Sequence, residues 1–256
     1  MSFEIQAQYL QGVGAAVAAV RLFAVRLGAR QPGLLAFLVY VAVNSVLLSL
    51  FPPDSIEYFW VYVVSAPVGW VVSIWAVREI ISLAMAAYPG IRTACRWTMY
   101  AAVAVSSFVS LLITAAFWRG SGSAQRGLYY LLITERSVLF SLAVVIVSLL
   151  LFLSYYPIRL HHNQYVSCGF FSAIFLSQAV QQLFDSLAPN FYSRISDVAQ
   201  LGVETLCLCG WALLLRREET VAEPPVEKLS VSRPEAAHLL EQLQTMDKFL
   251  SRAGRR

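Results

Sequence analysis

Seven apolar stretches fill most of the first 215 residues, at 9–27, 33–51, 58–77, 97–118, 137–156, 165–184 and 198–215. A helix needs about 20 mostly apolar residues to cross a bilayer, and each stretch is close to that length. Inside lipid every backbone N–H and C=O must find a partner within the protein, so only helices and closed barrels span. These runs are too long and too uniformly apolar for barrel strands, which alternate over about ten residues. The expected fold is all-α: a polytopic transmembrane bundle of seven helices over residues 1–215. Turn-forming groups separate the runs, including Gln31-Pro32-Gly33, Pro52-Pro53-Asp54, Tyr88-Pro89-Gly90, Gly120-Ser121-Gly122, Pro157 and Pro189.

Charge agrees with this reading. Charged residues are 13% of the chain, against about 25% in a soluble domain. Of the 34 charged residues, 15 lie after Leu215. A charge at the bilayer centre costs a few kcal/mol or more, which explains their scarcity before it. The net charge of +4 is too small for a nucleic-acid footprint, and no nucleic-acid partner is expected.

Lys and Arg also set an orientation, because they concentrate in cytoplasmic loops. With the N-terminus outside, the inner segments hold Arg26, Arg30, Arg78, Arg92, Arg96, Arg159 and eight basic residues of the tail. The outer segments hold only Arg119, Arg126 and Arg194. The chain is therefore expected to run from outside to a cytoplasmic C-terminus in a bacterial inner membrane. Residues 1–11 hold Glu4 and no Lys or Arg, unlike a secretory signal. Arg78-Glu79-Ile80 carries the third helix beyond the membrane core, with a helical stripe through Ile80, Leu83, Ala84 and Ala87 that ends at Pro89-Gly90.

After Leu215 the pattern changes. Residues 216–231 are polar and contain Pro224-Pro225, which reads as a linker. Ser232-Arg233-Pro234-Glu235 matches a capping box. Leu239, Leu243, Met246 and Leu250 then follow at helical spacing, so residues 232–256 form an amphipathic cytoplasmic helix. A helix this short is marginal alone and must lie against something. Its stripe would pack under the bundle, pair with a second copy, or dock a cytoplasmic protein partner.

The candidate site lies in spans five to seven. Gln178, Gln181, Gln182 and Asp185 fall at i, i+3, i+4 and i+7 and share one helix face. Glu204 sits about two turns into span seven, and Glu135 and Arg136 stand at the outer start of span five. Ionisable groups inside a membrane are functional candidates by default, so the set reads as an outward-facing ligand pocket. The plainer reading is helix–helix hydrogen bonding. Arg21 reads as snorkelling to the inner surface, and Asn44, Ser65, Pro67 and Gly69 as helix packing or a bend.

Other chemistries find little support. Cys95, Cys168, Cys207 and Cys209 read as small packing residues. His161-His162 has only Cys168 nearby, short of the three or four ligands a metal needs. No metal and no cofactor is expected. There is no Walker loop, no His-Glu-x-x-His and no Gly-x-Ser-x-Gly. The only lysines, Lys228 and Lys248, lie in the tail, which rules out a retinal Schiff base within a span. An intramembrane enzyme would need a His, Ser or carboxylate cluster that the sequence does not offer. No repeat relates the two halves, which weighs against an inverted-repeat transporter.

The stretches Glu79 … Tyr88-Pro89-Gly90-Ile91-Arg92 … Arg96-Trp97, Tyr156-Pro157-Ile158-Arg159-Leu160 and Leu239-Leu240-Glu241-Gln242-Leu243 … Leu250-Ser251-Arg252 resemble a group of uncharacterised bacterial seven-helix membrane proteins. The resemblance implies the architecture and carries no activity, ligand or catalytic residue. The first expectation is a receptor-like sensor or scaffold with a polar pocket and a docking tail. A small-solute transporter or permease component, which would also need polar groups in the inner halves, is the alternative, and a structural subunit of a membrane complex is the third.

Overall fold

The computed structural model describes residues 3–25, 27–28, 31–52, 55–117, 123–156, 162–187, 193–215 and 234–253. They form eight helices: α1 (Phe3–Ala24), α2 (Pro32–Ser49), α3 (Ile56–Ala84), α4 (Pro89–Phe117), α5 (Ser123–Tyr155), α6 (His162–Leu187), α7 (Ser193–Leu214) and α8 (Pro234–Ala253). No strand occurs among the described residues. Four segments are long and apolar enough to cross a membrane: Pro32–Ser49, Ile56–Ala84, Pro89–Leu112 and Tyr130–Tyr155. Helices of this length and composition suit a lipid bilayer. Ala199–Leu214 is a shorter apolar segment. Residues 216–231, read as a linker, and the cap residue Ser232 lie outside the described residues.

Each of α1 to α7 packs on its neighbours in sequence, and α7 returns to α1. Helices α1, α2, α3, α5, α6 and α7 close a ring, with α3 also touching α6 across it. The fourth helix stands outside this ring against α3 and α5, and α8 packs on α4. The α4–α5 seam is polar: Ser106 bonds Ser141, and Ser137 donates to Ser110. Small hydroxylated residues let two helices approach closely and bond across a seam that lipid cannot satisfy. The outward face of α4 carries exposed Trp97, Val105, Phe108 and Leu112, as a lipid-facing surface does.

Two helix starts show how the chain ends are tied together. Pro89 opens α4, where a missing N–H is harmless because the first turn has no intrahelical acceptor. The sequence reading ended the third helix at Pro89-Gly90; the structure ends α3 at Ala84 and uses Pro89 to begin α4, two turns before the expected span. Helix α2 has no side-chain cap of its own at Gln31. Glu79 of α3 supplies one, accepting from the Leu34 N–H at 3.1 Å. Gly33 allows this approach, since a Cβ there would lie 2.8 Å from Glu79 Oε2 and 3.1 Å from the Ala76 Cα. The third helix runs unbroken through Pro67.

Candidate functional site

Within the ring lies a partly open cavity of about 110 Å³. It is lined from α2 by Tyr40, from α3 by Trp70 and Ser73, from α5 by Glu135, from α6 by Gln178 and from α7 by Glu204. Each of these residues lies within about one turn of the middle of its helix. Three of the residues singled out in the sequence, Glu135, Gln178 and Glu204, are thus brought to one void. Glu135 is not at a helix start: α5 begins at Ser123, and Glu135 lies about three turns in.

Glu204 is 6% exposed. Gln178 Nε2 and Gln200 Nε2 each donate to its Oε1 at 2.8 Å, and Gln11 Nε2 donates to Oε2. Carboxamides from α1, α6 and α7 therefore hold it from three sides. All three are neutral, so they orient the carboxyl group without balancing its charge. Glu135 accepts the Tyr62 hydroxyl, which fixes the second carboxyl group from α3. Among the described residues, no Lys, Arg or His lines the cavity.

The balance of donors and acceptors is uneven. Gln178 uses its N–H₂ on Glu204, and its buried Oε1 has no recorded partner. With two carboxyl groups and this carbonyl, acceptors dominate the polar lining. The Trp70 indole N–H, also buried without a recorded partner, and the Ser73 hydroxyl are donors on the same lining. Phe37, Phe175 and the Trp70 ring supply aromatic walls. Tyr40 is locked in place by donating to the Ser65 carbonyl at 3.0 Å.

The remaining expected site residues are placed differently. Gln181 and Arg136 are half-buried and do not line the cavity. The side chains of Gln182 and Asp185 lie outside the described residues. Sequence reasoning missed Gln11, Gln200, Tyr40, Tyr62, Trp70 and Ser73. One usable signal was the i, i+4 spacing of Gln200 and Glu204, which puts amide and carboxylate on one helix face.

At the other end of α3, Asp247 of α8 accepts the Gly90 and Ile91 N–H groups with its Oδ1, at 2.7 and 3.1 Å. A carboxylate at the open first turn of α4 satisfies orphan donors and complements the helix dipole. Of the tail stripe, Leu243 is fully buried, Leu250 is half-buried, and Met246 is exposed. The side chain of Leu239 lies outside the described residues. Burial, with the Asp247 charge adding to it, raises the pKa of the neighbouring Tyr88 phenol above its ordinary value. Cys207 is buried and Cys209 is exposed, two residues apart on different sides of α7. Comparison with family models, curated proteins and solved structures found no match.

Proposed function

We propose that this is a receptor-like sensor or scaffold of a bacterial inner membrane that holds a small cation in the middle of its bundle. In this reading α1 to α7 all cross the bilayer, the N-terminus lies outside, and the tail is cytoplasmic. The distribution of Lys and Arg supports the orientation.

The observation that carries the ligand class is the pair Glu135 and Glu204 on a cavity without a cationic side chain. A buried carboxylate is costly unless it is paired, and Glu204 has only neutral partners. A cation bearing N–H donors would balance that charge, bond the free Gln178 carbonyl and lie against aromatic faces that attract positive charge. A cavity of 150 Å³ accommodates benzene, so about 110 Å³ suits roughly four heavy atoms. Guanidinium has that size and carries only donors. The Asp247 clamp of α8 onto α4 provides a cytoplasmic element through which a change in the bundle is read out.

The test is thermal unfolding of the full chain in lipid nanodiscs, with low-millimolar guanidinium chloride as the probe. A ligand that binds the folded state stabilises it by RT ln(1 + [L]/Kd). The midpoint should rise with guanidinium and not with equal sodium chloride, and the rise should vanish in Glu204→Gln. No guanidinium-specific rise, or an equal rise in the variant, overturns the reading.

A further inference from the structure

A second, smaller void lies toward the predicted cytoplasmic end of α2, α3 and α6. It measures about 10 Å³ and is lined by Gln31, Glu79, Gln164 and Ser167 among others, which is room for about one water. Gln31 is 5% exposed and Ser167 2%. Neither Gln31 Oε1 nor Ser167 Oγ has a recorded partner. Buried polar oxygens are nearly always bonded to protein or ordered water, so two orphans around one void mark a place where something polar sits.

Helical phase puts this void on the same line as the central cavity. On α3, Ile80 of the lower void lies seven residues, about 10 Å, beyond Ser73 of the upper one. On α2, Leu34 and Val41 have the same relation, and on α6 so do Ser167 and Ile174. Residues seven apart share a helix face. Between the two voids the chain places Val77 of α3, fully buried, and a cluster of aromatic rings. Phe171 of α6 stands between Ser167 and Ile174, with its ring 5.0 Å from Phe37 and 5.0 Å from Trp211. Phe171 and Trp211 are fully buried. The layer offers a cation no oxygen.

We propose that the two voids are successive stations for one small cation, and that the Phe37–Phe171–Trp211 layer is the gate between them. The chain is then a gated passage as well as a binding protein. This rests on the cation reading of the central cavity. Both stations present carboxylate and carbonyl oxygens, Glu135, Glu204 and Gln178 above and Glu79 and Gln31 below, where the Ser167 hydroxyl can donate or accept. That pattern selects a cation whose polar hydrogens are all donors, either a guanidinium or ammonium type or a proton carried on water. Displacing the Phe171 ring would join the voids. The lower void, at one water's size, describes the closed state. In the proton case, the proton leaves a carboxyl group of the upper cavity, crosses on water when the ring moves, and is taken up by the Glu79 carboxylate.

The experiment uses the full chain in proteoliposomes, under an inside-negative potassium diffusion potential. One arm follows internal acidification with a trapped pH dye, and the other follows uptake of radiolabelled guanidinium. The expected result is flux of one probe above protein-free liposomes, at least fivefold faster in Phe171→Ala and at least threefold slower in Glu79→Gln. Glutamine at 79 keeps an oxygen for the Leu34 N–H. Phe171→Leu removes the ring with a smaller loss of volume and replaces Phe171→Ala should the latter not fold. The arm that responds tells proton from organic cation. Failure of both arms in the wild type and in the Phe171 variants, with the guanidinium-induced rise in unfolding temperature intact, overturns the passage and leaves the binding site standing. Loss of both flux and that rise overturns the two together. Flux unchanged in Glu79→Gln and the Phe171 variants runs by another route and overturns the gate.

Discussion

Gly69 has no side chain because the ring of Tyr40 occupies the space. A Cβ at Gly69 would lie 2.5 Å from the Tyr40 hydroxyl and 2.8 Å from the ring carbon that bears it. Both residues line the central cavity, and Tyr40 is held by its bond to the Ser65 carbonyl. Gly69→Val should therefore push the phenol off Ser65 and into the void. Forcing methyl groups into a packed interior costs about 1–3 kcal/mol. The midpoint of thermal unfolding should fall accordingly, and the guanidinium-specific rise should be lost. An unaltered midpoint would mean that α2 and α3 separate at no cost. The sequence offered Gly69 only as a packing residue, because the tyrosine that needs the space is 29 positions away in the chain. Glu204 and Gln178 were legible for a plain reason: polar groups in an apolar run are costly and stand out. Gln11 and Gln200 did not stand out. Neutral amides near the start of an apolar run have many unremarkable explanations, and only the folded ring brings both to one carboxylate.

At the scale of the element, helices α2 and α4 both take a carboxylate from another helix at their first turn. Glu79 serves α2 and Asp247 serves α4. The second contact fastens the tail. Gly90 is needed there, because a Cβ would run into the Asp247 carbonyl and the Ser251 side chain of α8. Removing a capping oxygen costs about 1 kcal/mol. Asp247→Ala should thus loosen α8 by several-fold in its open fraction, whereas Asp247→Asn keeps an acceptor and should change little. Limited trypsin digestion checks this, since Lys248 lies one residue along. Cleavage there should accelerate in the alanine variant and stay near the wild-type rate in the asparagine variant. Equal rates in all three proteins would show that the buried Leu243 holds α8 without the cap. The amphipathic tail helix itself was readable from its apolar spacing. Its berth was not, since nothing local to residues 234–253 says that α4 starts beneath it.

For the whole molecule, hydropathy revealed how many apolar segments there are, not how they are arranged. Each of the seven stretches falls on a helix, and among the described residues four helical segments are long and apolar enough to cross a membrane. Helices α6 and α7 carry Gln178, Gln200 and Glu204, and those residues give up hydropathy to furnish the ring's interior. Nor does the sequence say that α4 stands outside the ring, because its serine seam with α5 looks like ordinary helix packing until partners are known. The proposed orientation rests on charge alone, and geometry adds only which end of the bundle the tail shares. Both borrowed helix caps lie at the end of the bundle where α8 docks, so that end must be the one the tail can reach. A 20-residue tail helix of low apolarity does not cross a bilayer, and its capped berth fixes the Tyr88–Ile91 turn on the tail's own side. Green fluorescent protein fused after Arg256 should therefore fluoresce in a bacterial host, and alkaline phosphatase inserted in the α2–α3 connection near Pro53 should be active. Activity at the α3–α4 turn near Ala87 instead would invert the bundle. It would put the central carboxyl groups on a route entered from the cytoplasm, with the Glu79 station facing outward.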